Sequence, residues 1–366
     1  MKVVRSGRFV SRIASVALLF PVLFLLSACF PSHDQSTFGP AGPIARDQLT
    51  LFQIIFWTAA FVFVVVEGAL VLAVVRFRRK PGQVGLPKQT HGNTPLELTW
   101  TILPAIILAV IAVPTVTTIF AQAETPKGDV VQVEVVGHQW WWEFNYPQLG
   151  ITTANELHIP VNKPVALEIT SDDVIHSFWV PKLAGKTDMI PTRVNTMWFE
   201  ADEAGVFFGQ CAEFCGTAHA QMRFKVVAQT QGDFDQWVAG QQSPAAAPMS
   251  LVFGIKGCTV CHTVTGQDPE GTQEARMAAF REQAAARREG PGRYPAPNLT
   301  HFASRAMLAA GLVERTDENL RRWLEDPDAI KPGNRMKQLA GAYHTSGLAL
   351  SSEDITELVS YLQSLK

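Results

Sequence analysis

The chain has 366 residues, room for two or three compact domains, and a formal net charge of −2, which gives no sign of a nucleic-acid partner. The charge is unevenly spread: residues 1–123 carry ten Lys/Arg against four Asp/Glu, 124–238 seven against fifteen, and 239–366 fourteen of each. A strongly acidic middle unit thus lies between a basic membrane part and a neutral tail, and its field favours cationic partners.

At the N-terminus Lys2, Arg5, Arg8 and Arg12 precede an apolar run from Ile13 to Leu26, the layout of a signal peptide. The run ends in Leu26-Ser27-Ala28-Cys29, which resembles a bacterial lipobox. The resemblance implies a leader over 1–28, a lipid on the Cys29 thiol and an outer segment over 29–48. A plain first membrane helix is the alternative, but the run is short for a span. Residues 49–75 and 96–120 are each long and apolar enough to cross a bilayer. Arg76, Arg78, Arg79, Lys80 and Lys88 lie between them, so the positive-inside rule puts this loop in the cytoplasm and everything after Ala121 outside. Glu67, within the first span, is either a functional carboxylate or a polar contact to a partner subunit. Thr94-Pro95-Leu96-Glu97 reads as a capping box that opens the second span.

Residues 124–238 form short runs of alternating apolar residues with turn punctuation, such as Val131, Val133 and Val135, which predict a β-sandwich or barrel. Within it lies Cys211-Ala212-Glu213-Phe214-Cys215-Gly216-Thr217-Ala218-His219-Ala220-Gln221-Met222, with His176 upstream. Two thiols, two imidazoles and a thioether are soft or borderline ligands, suited to copper. A Cys2His2 zinc site and a Cys211–Cys215 disulfide are the competing readings.

Residues 239–249 are small, polar and Pro-containing, and read as a linker to a last domain over 250–366. That domain opens with Cys258-Thr259-Val260-Cys261-His262, the C-x-x-C-H string that attaches c-type haem through two thioethers, with the His on the iron. A Met is expected as the second axial ligand. Met277 falls in the charged stretch 268–293, and Met307 in a stretch that reads as a helix and a core position. Met336, on a loop after Lys331-Pro332-Gly333-Asn334-Arg335, is the preferred candidate. The closing helix 352–365 carries Ile355, Leu358, Tyr361, Leu362 and Leu365 as an apolar stripe.

The C-x-E-x-C-x3-H-x2-M string, Trp100-Thr101-Ile102-Leu103-Pro104, Gly137-His138-Gln139-Trp140-Trp141-Trp142 and Asp173-Val174-Ile175-His176-Ser177-Phe178 together resemble subunit II of haem–copper cytochrome c oxidases over residues 45–230. The tail, with Pro297-Asn298-Leu299 and the Met336 loop, resembles class I cytochrome c, and the combination resembles caa-type oxidases. The resemblance implies a multidomain membrane protein: a transmembrane hairpin, a cupredoxin-like β-sandwich and an all-α cytochrome c domain. It implies a dinuclear copper (CuA) centre, bridged by Cys211 and Cys215 and completed by His176, His219, Met222 and the Glu213 carbonyl. It implies covalent haem c on Cys258, Cys261 and His262. It also implies a magnesium ion held by the Glu213 side chain at subunit I, electron transfer at Trp140, and Glu97 at the mouth of a proton channel. Trp141 stands where the family usually has Tyr. The partners implied are subunit I, subunit III and a cytochrome c donor, at the outer face of a bacterial cell membrane. A quinol-oxidising relative would lack the Cys and His ligands present here.

Overall fold

The computed structural model describes residues 33–265 and 296–366, apart from positions 80, 83, 86–88, 90, 246 and 247. The leader 1–28, Cys29 and the whole of the 268–293 stretch, with Met277, lie outside the described residues.

Two long helices come first, α1 (Pro43–Phe77) and α2 (Thr94–Ala123), each starting before and ending after the expected span. Both are apolar enough to cross a membrane, and the span windows bury nothing within the chain. Trp57, Phe61, Leu72, Leu108 and Phe120 are exposed, a surface suited to lipid or to partner helices. At about 1.5 Å per residue, the 35 residues of α1 extend about 50 Å, well beyond a hydrocarbon core of about 30 Å. Its first turn therefore stands outside the bilayer, and Ile44 and Ala45 are buried there. Arg46 pairs with Asp202 of the following domain, and the Ala41 amide donates to the Lys182 carbonyl at 2.8 Å.

The cap on α2 differs from expectation by one residue. The N-cap is Asn93: its Oδ1 accepts from the Leu96 amide at 3.2 Å, while Glu97 Oε1 accepts from the Asn93 amide at 3.1 Å. Asn and Thr are both good caps, and Pro95, now at the second helical position, still needs no amide partner.

The acidic unit is a sandwich of two five-stranded sheets. The strands are β1 (Val131–His138), β2 (Trp141–Tyr146), β3 (Ile151–Ala154), β4 (Glu156–Pro160), β5 (Val165–Ser171), β6 (His176–Trp179), β7 (Thr187–Met189), β8 (Asn195–Phe199), β9 (Gly205–Cys211) and β10 (Arg223–Gln229). One sheet runs β3-β2-β1-β5-β8, the other β4-β10-β9-β6-β7. The period of two puts Val131, Val133 and Val135 inside with Val165, Leu167 and Ile169 from parallel neighbour β5, while Glu168 faces out. Each such side chain contributes roughly 1.5–3 kcal/mol by burial. Between the sheets Phe178 stacks on Phe224, with centroids 4.6 Å apart. Trp142 is fully buried against Phe224, so this member of the Trp triplet is a core residue.

Helix α3 (Gln231–Gln242) follows, capped by Thr230. It continues past residue 239, so the linker begins four residues later than its composition suggests. The last domain has α4 (Leu251–Ile255), a short ribbon of β11 (Met307–Leu308) and β12 (Val313–Glu314), then α5 (Asp317–Glu325), α6 (Pro327–Ile330), α7 (Arg335–Leu339) and α8 (Ser352–Ser364). Ile355, Leu358, Tyr361, Leu362 and Leu365 are all buried, as the stripe on α8 predicts. Two expectations change. Met307 lies in a strand, not a helix, and Met336 lies on short helix α7, whose cap Asn334 accepts from the Lys337 amide at 2.8 Å.

Candidate functional site

The first constellation forms where the chain leaves β9, turns and re-enters β10, next to the start of β6. This loop brings Cys211, Cys215, His219 and Met222 to His176. Cys211 Sγ and Cys215 Sγ are 3.8 Å apart, His176 Nδ1 is 3.9 Å from Cys211 Sγ, His219 Nδ1 is 3.5 Å from Cys215 Sγ, and Met222 Sδ is 3.9 Å from Cys215 Sγ. Cys211 also donates to the Glu213 carbonyl at 3.2 Å. All six expected positions therefore converge, Glu213 through its main chain.

The sulfur separation is far from the roughly 2.05 Å of a disulfide, and both cysteines are free thiols. A metal about 2.3 Å from each sulfur fits between them. The ligand atoms of His176, Cys211 and Cys215 lie within 4.8 Å of one another, all buried. The donor set is soft, and the thioether favours copper over zinc. Hydrogen bonding from Cys215, together with His176 and two backbone groups, outweighs burial and holds Cys211 down to about 3. The same pairing, with burial, pushes Cys215 upward.

Among the supporting residues the sequence reading gives a role to Trp140 alone; those of Asp173, Gln139 and Gly216 come from the structure. Asp173 Oδ1 bonds His176 Nε2 at 2.8 Å, which leaves Nδ1 to face the sulfurs. Burial alone would lower the His176 pKa, but Asp173 and Cys211 raise it. Gln139 Nε2 and Trp140 Nε1 both donate to the Cys215 carbonyl, at 2.7 and 3.0 Å. Gly216 makes this possible: its φ is +115°, and a Cβ there would sit 3.0 Å from Trp140 Cζ2. Behind the loop, His138 stacks on Trp141 at 4.1 Å between buried Glu143 and Asp172. Burial opposes its charge, yet the two carboxylates raise its pKa to about 9. The signal available in sequence for Asp173 is only its i,i+3 spacing from His176.

The second constellation is a cavity lined by Cys258, Cys261 and His262 together with Met307, Met336 and Tyr343 and the apolar Leu299, Phe302, Leu324 and Leu358. His262 Nδ1 donates to the Pro297 carbonyl at 2.8 Å, so Nε2 is the nitrogen with the lone pair, the tautomer an axial ligand requires. Burial pushes the Cys258 thiol up to about 11 and raises that of Cys261, and both are unbridged. An apolar cavity with two free thiols, an oriented imidazole and a thioether fits a covalently held haem. The cavity does not end at the domain boundary: Gln139, Trp140 and Trp141 line it from the other domain.

Glu97 is on the far side of the hairpin from both constellations, at the start of α2. The Glu213 side chain is half-buried, and among the described residues no group of three His, Cys, Asp or Glu ligands includes it.

Comparison with known proteins gives three matching family models. They are described as cytochrome C oxidase subunit II, transmembrane domain, over residues 18–118; cytochrome C oxidase subunit II, periplasmic domain, over 149–229; and cytochrome c, over 247–366. Cytochrome c oxidase subunit 2 of Alkalihalophilus pseudofirmus is 38% identical over 364 residues, covering 95% of this chain and 96% of that protein. The chain belongs to the cytochrome c oxidase subunit II family. The namesake from Bacillus sp. strain PS3 is equally similar, 38% over 370 residues, with 95% and 96% covered. Quinol oxidase subunit 2 of Bacillus cereus is 32% identical over 235 residues, covering only 63% of this chain and 81% of that one. The crystal structure of the periplasmic domain of subunit II from Bradyrhizobium japonicum is 33% identical, with a TM-score of 0.32, over 32% of this chain and 97% of that one. This subunit II is thus a membrane component of an oxidase complex, with a CuA-type copper domain and a cytochrome c domain on the outer side.

Proposed function

We propose that this subunit is the electron inlet of its oxidase: electrons from a cytochrome donor arrive at the C-terminal domain, cross to the copper loop and leave for the oxygen-reducing centre of subunit I. Proton translocation and oxygen chemistry belong to that partner, beside which subunit III would sit. The observation that carries the reading is Trp140, which lines the His262 cavity and donates to the Cys215 carbonyl at 3.0 Å. One side chain thereby touches both constellations.

When bound, haem c and the two coppers supply one-electron chemistry. The chain's own residues set the frame. Cys211, Cys215, His176, His219, Met222 and the Glu213 carbonyl would hold the coppers. Asp173 and the Pro297 carbonyl orient His176 and His262. Strands β6, β9 and β10 of one sheet frame the copper ligands, so little need move when the charge changes. Retention of all copper ligands, and likeness over 95% of the chain to cytochrome oxidase subunits, favour a cytochrome donor over a quinol. A magnesium at Glu213 would need its remaining ligands from subunit I. In a multi-pass arrangement the basic loop after α1 lies in the cytoplasm and Cys29 carries a lipid.

Met336, which lines the cavity, would supply the second protein ligand to the haem iron. Met336→Ala should leave haem attached through Cys258 and Cys261, lower its potential, and erase the methionine–iron absorption band. An intact band in that variant and a lost one in Met307→Ala would move the assignment to Met307, which lines the same cavity.

Glu97 tests proton uptake. Its Oε1 already serves the Asn93 amide, and Gln would keep that bond. Glu97→Gln should therefore preserve helix start and metal reduction but slow oxygen turnover, because an amide cannot carry a proton. Unchanged turnover would leave Glu97 as a cap alone.

A further inference from the structure

The cytochrome domain is seated on the copper domain by contacts that a swinging, tethered carrier would not need. Lys331, only 4% exposed, donates its Nζ to the Trp140 carbonyl and reaches the Ala309 carbonyl at 3.4 Å. Arg335 bonds Gln139 Oε1. On the other flank, the Ala306 and Met307 amides donate to one oxygen of Glu156, at 2.8 and 2.9 Å, and Glu156 is 3% exposed at the start of β4. Between these, the Arg223 amide of β10 donates to the Ala310 carbonyl at 3.2 Å. The fit is close: a Cβ on Gly333, whose φ is +77°, would stand 2.8 Å from Thr217 of the copper loop.

We infer that Lys331, Arg335 and Glu156 lock the cytochrome domain onto the copper loop as a fixed lid over Trp140. The physical case rests on burial. A lysine or a glutamate is rarely buried unless it is paired, because an unpartnered charge in a protein interior is costly. Both groups here are buried by the opposite domain and satisfied by its backbone. If the domains separated, each would be returned to water and the Ala306 and Met307 amides would lose their acceptor. A loosely tethered domain would carry such groups at an exposed, interchangeable surface instead. Burial pushes the Lys331 amine down to about 7 and raises the Glu156 carboxyl, the directions expected of groups withdrawn from water.

The lid has a consequence, which rests on the electron-inlet reading. Trp140 is 7% exposed and Cys215 3%, so a soluble donor has no access to the copper domain at this point and must dock on the cytochrome domain.

Amide hydrogen exchange on the full chain in detergent tests the lock without any electron transfer, so its failure leaves the functional reading standing, and the reverse. The Ala306 and Met307 amides should be protected in the native chain. Glu156→Ala should speed their exchange about tenfold or more, whereas Glu156→Gln, whose amide oxygen accepts the same bonds, should restore protection. Lys331→Met, which has no contact with residues 306 and 307, should also speed exchange there, because both contacts hold one rigid unit. Leu358 and Leu362 amides in α8 should stay protected throughout, which reports that the domain remains folded. Open-loop exchange at 306 and 307 in the native chain, or protection there untouched by Glu156→Ala and Lys331→Met, would overturn the lock. If Glu156→Ala unfolds α8, the Lys331→Met result decides alone.

Discussion

Cys215→Ser is expected to strip copper from the chain and leave haem c covalently attached at full occupancy. Cys215 stands at the centre of its constellation, with Cys211, His219 and Met222 all within 3.9 Å. Serine offers a hard oxygen in place of a soft, polarizable sulfur, and the centre has no spare thiol to take over. Copper content should fall to near zero, together with its absorption and electron-spin signals. The haem ligands lie in a different core: Cys258 packs with Phe253, Leu299 and Leu358, whereas Cys215 packs with Trp140, Phe178 and Met222. Gln139 and Trp140 of the copper domain hold the loop through the Cys215 carbonyl, which serine retains. Metal analysis and a haem-c spectrum on one purified sample check both halves. Concurrent loss of covalent haem would show that the two cores do not fold as separate units. The reciprocal change, His262→Ala, should abolish the axial imidazole and spare copper.

The second large effect concerns kinetics. After rapid reduction of the C-terminal domain, electron arrival at the copper loop should be first order, unchanged by dilution and nearly unchanged by salt. A tether alone already gives an effective concentration on the order of millimolar. For a tethered carrier, doubling the linker should slow transfer roughly threefold, since effective concentration falls as about the −3/2 power of length. For a seated lid, a flexible insertion after Ser243 should leave the rate unchanged. The contacts at Trp140, Glu156 and Arg223 do not involve the linker. Salt should matter little, because Lys331 and Glu156 are buried and poorly screened. Stopped-flow or flash measurements on the native and lengthened chains decide between the two. A rate that falls in proportion to dilution would show that the domain serves neighbouring molecules and not its own copper loop.

Much of this was already legible in the residues. The spans, the short strands, the copper-loop donors and the C-x-x-C-H string are local patterns, and local patterns depend on periodicity and covalent spacing. Five of the six copper positions lie within twelve consecutive residues, so a single turn between β9 and β10 is enough to gather them. The stripe on α8 is similarly local, and its five members are buried.

Other features needed the tertiary structure. The cap on α2 moved to Asn93 because Asn and Thr are both good caps, and only backbone geometry chooses between adjacent ones. Met307 lies in a strand where a helix was expected and Met336 in a short helix where a loop was expected, and both reach one cavity, because strand pairing and packing depend on the tertiary fold. Asp173, three residues before His176, was in plain view but had no assigned partner until the ring was oriented. The interface is the extreme case. Lys331 meets Trp140 across 191 positions, and Glu156 meets Ala306 across 150. A lysine on a Pro-Gly loop and a glutamate opening a strand look like ordinary solvated charges in a sequence. Composition and spacing determined which cofactor chemistries this chain can hold. Where the two domains meet was decided only by the fold, because burial of a charge depends on what the opposite surface supplies to satisfy it.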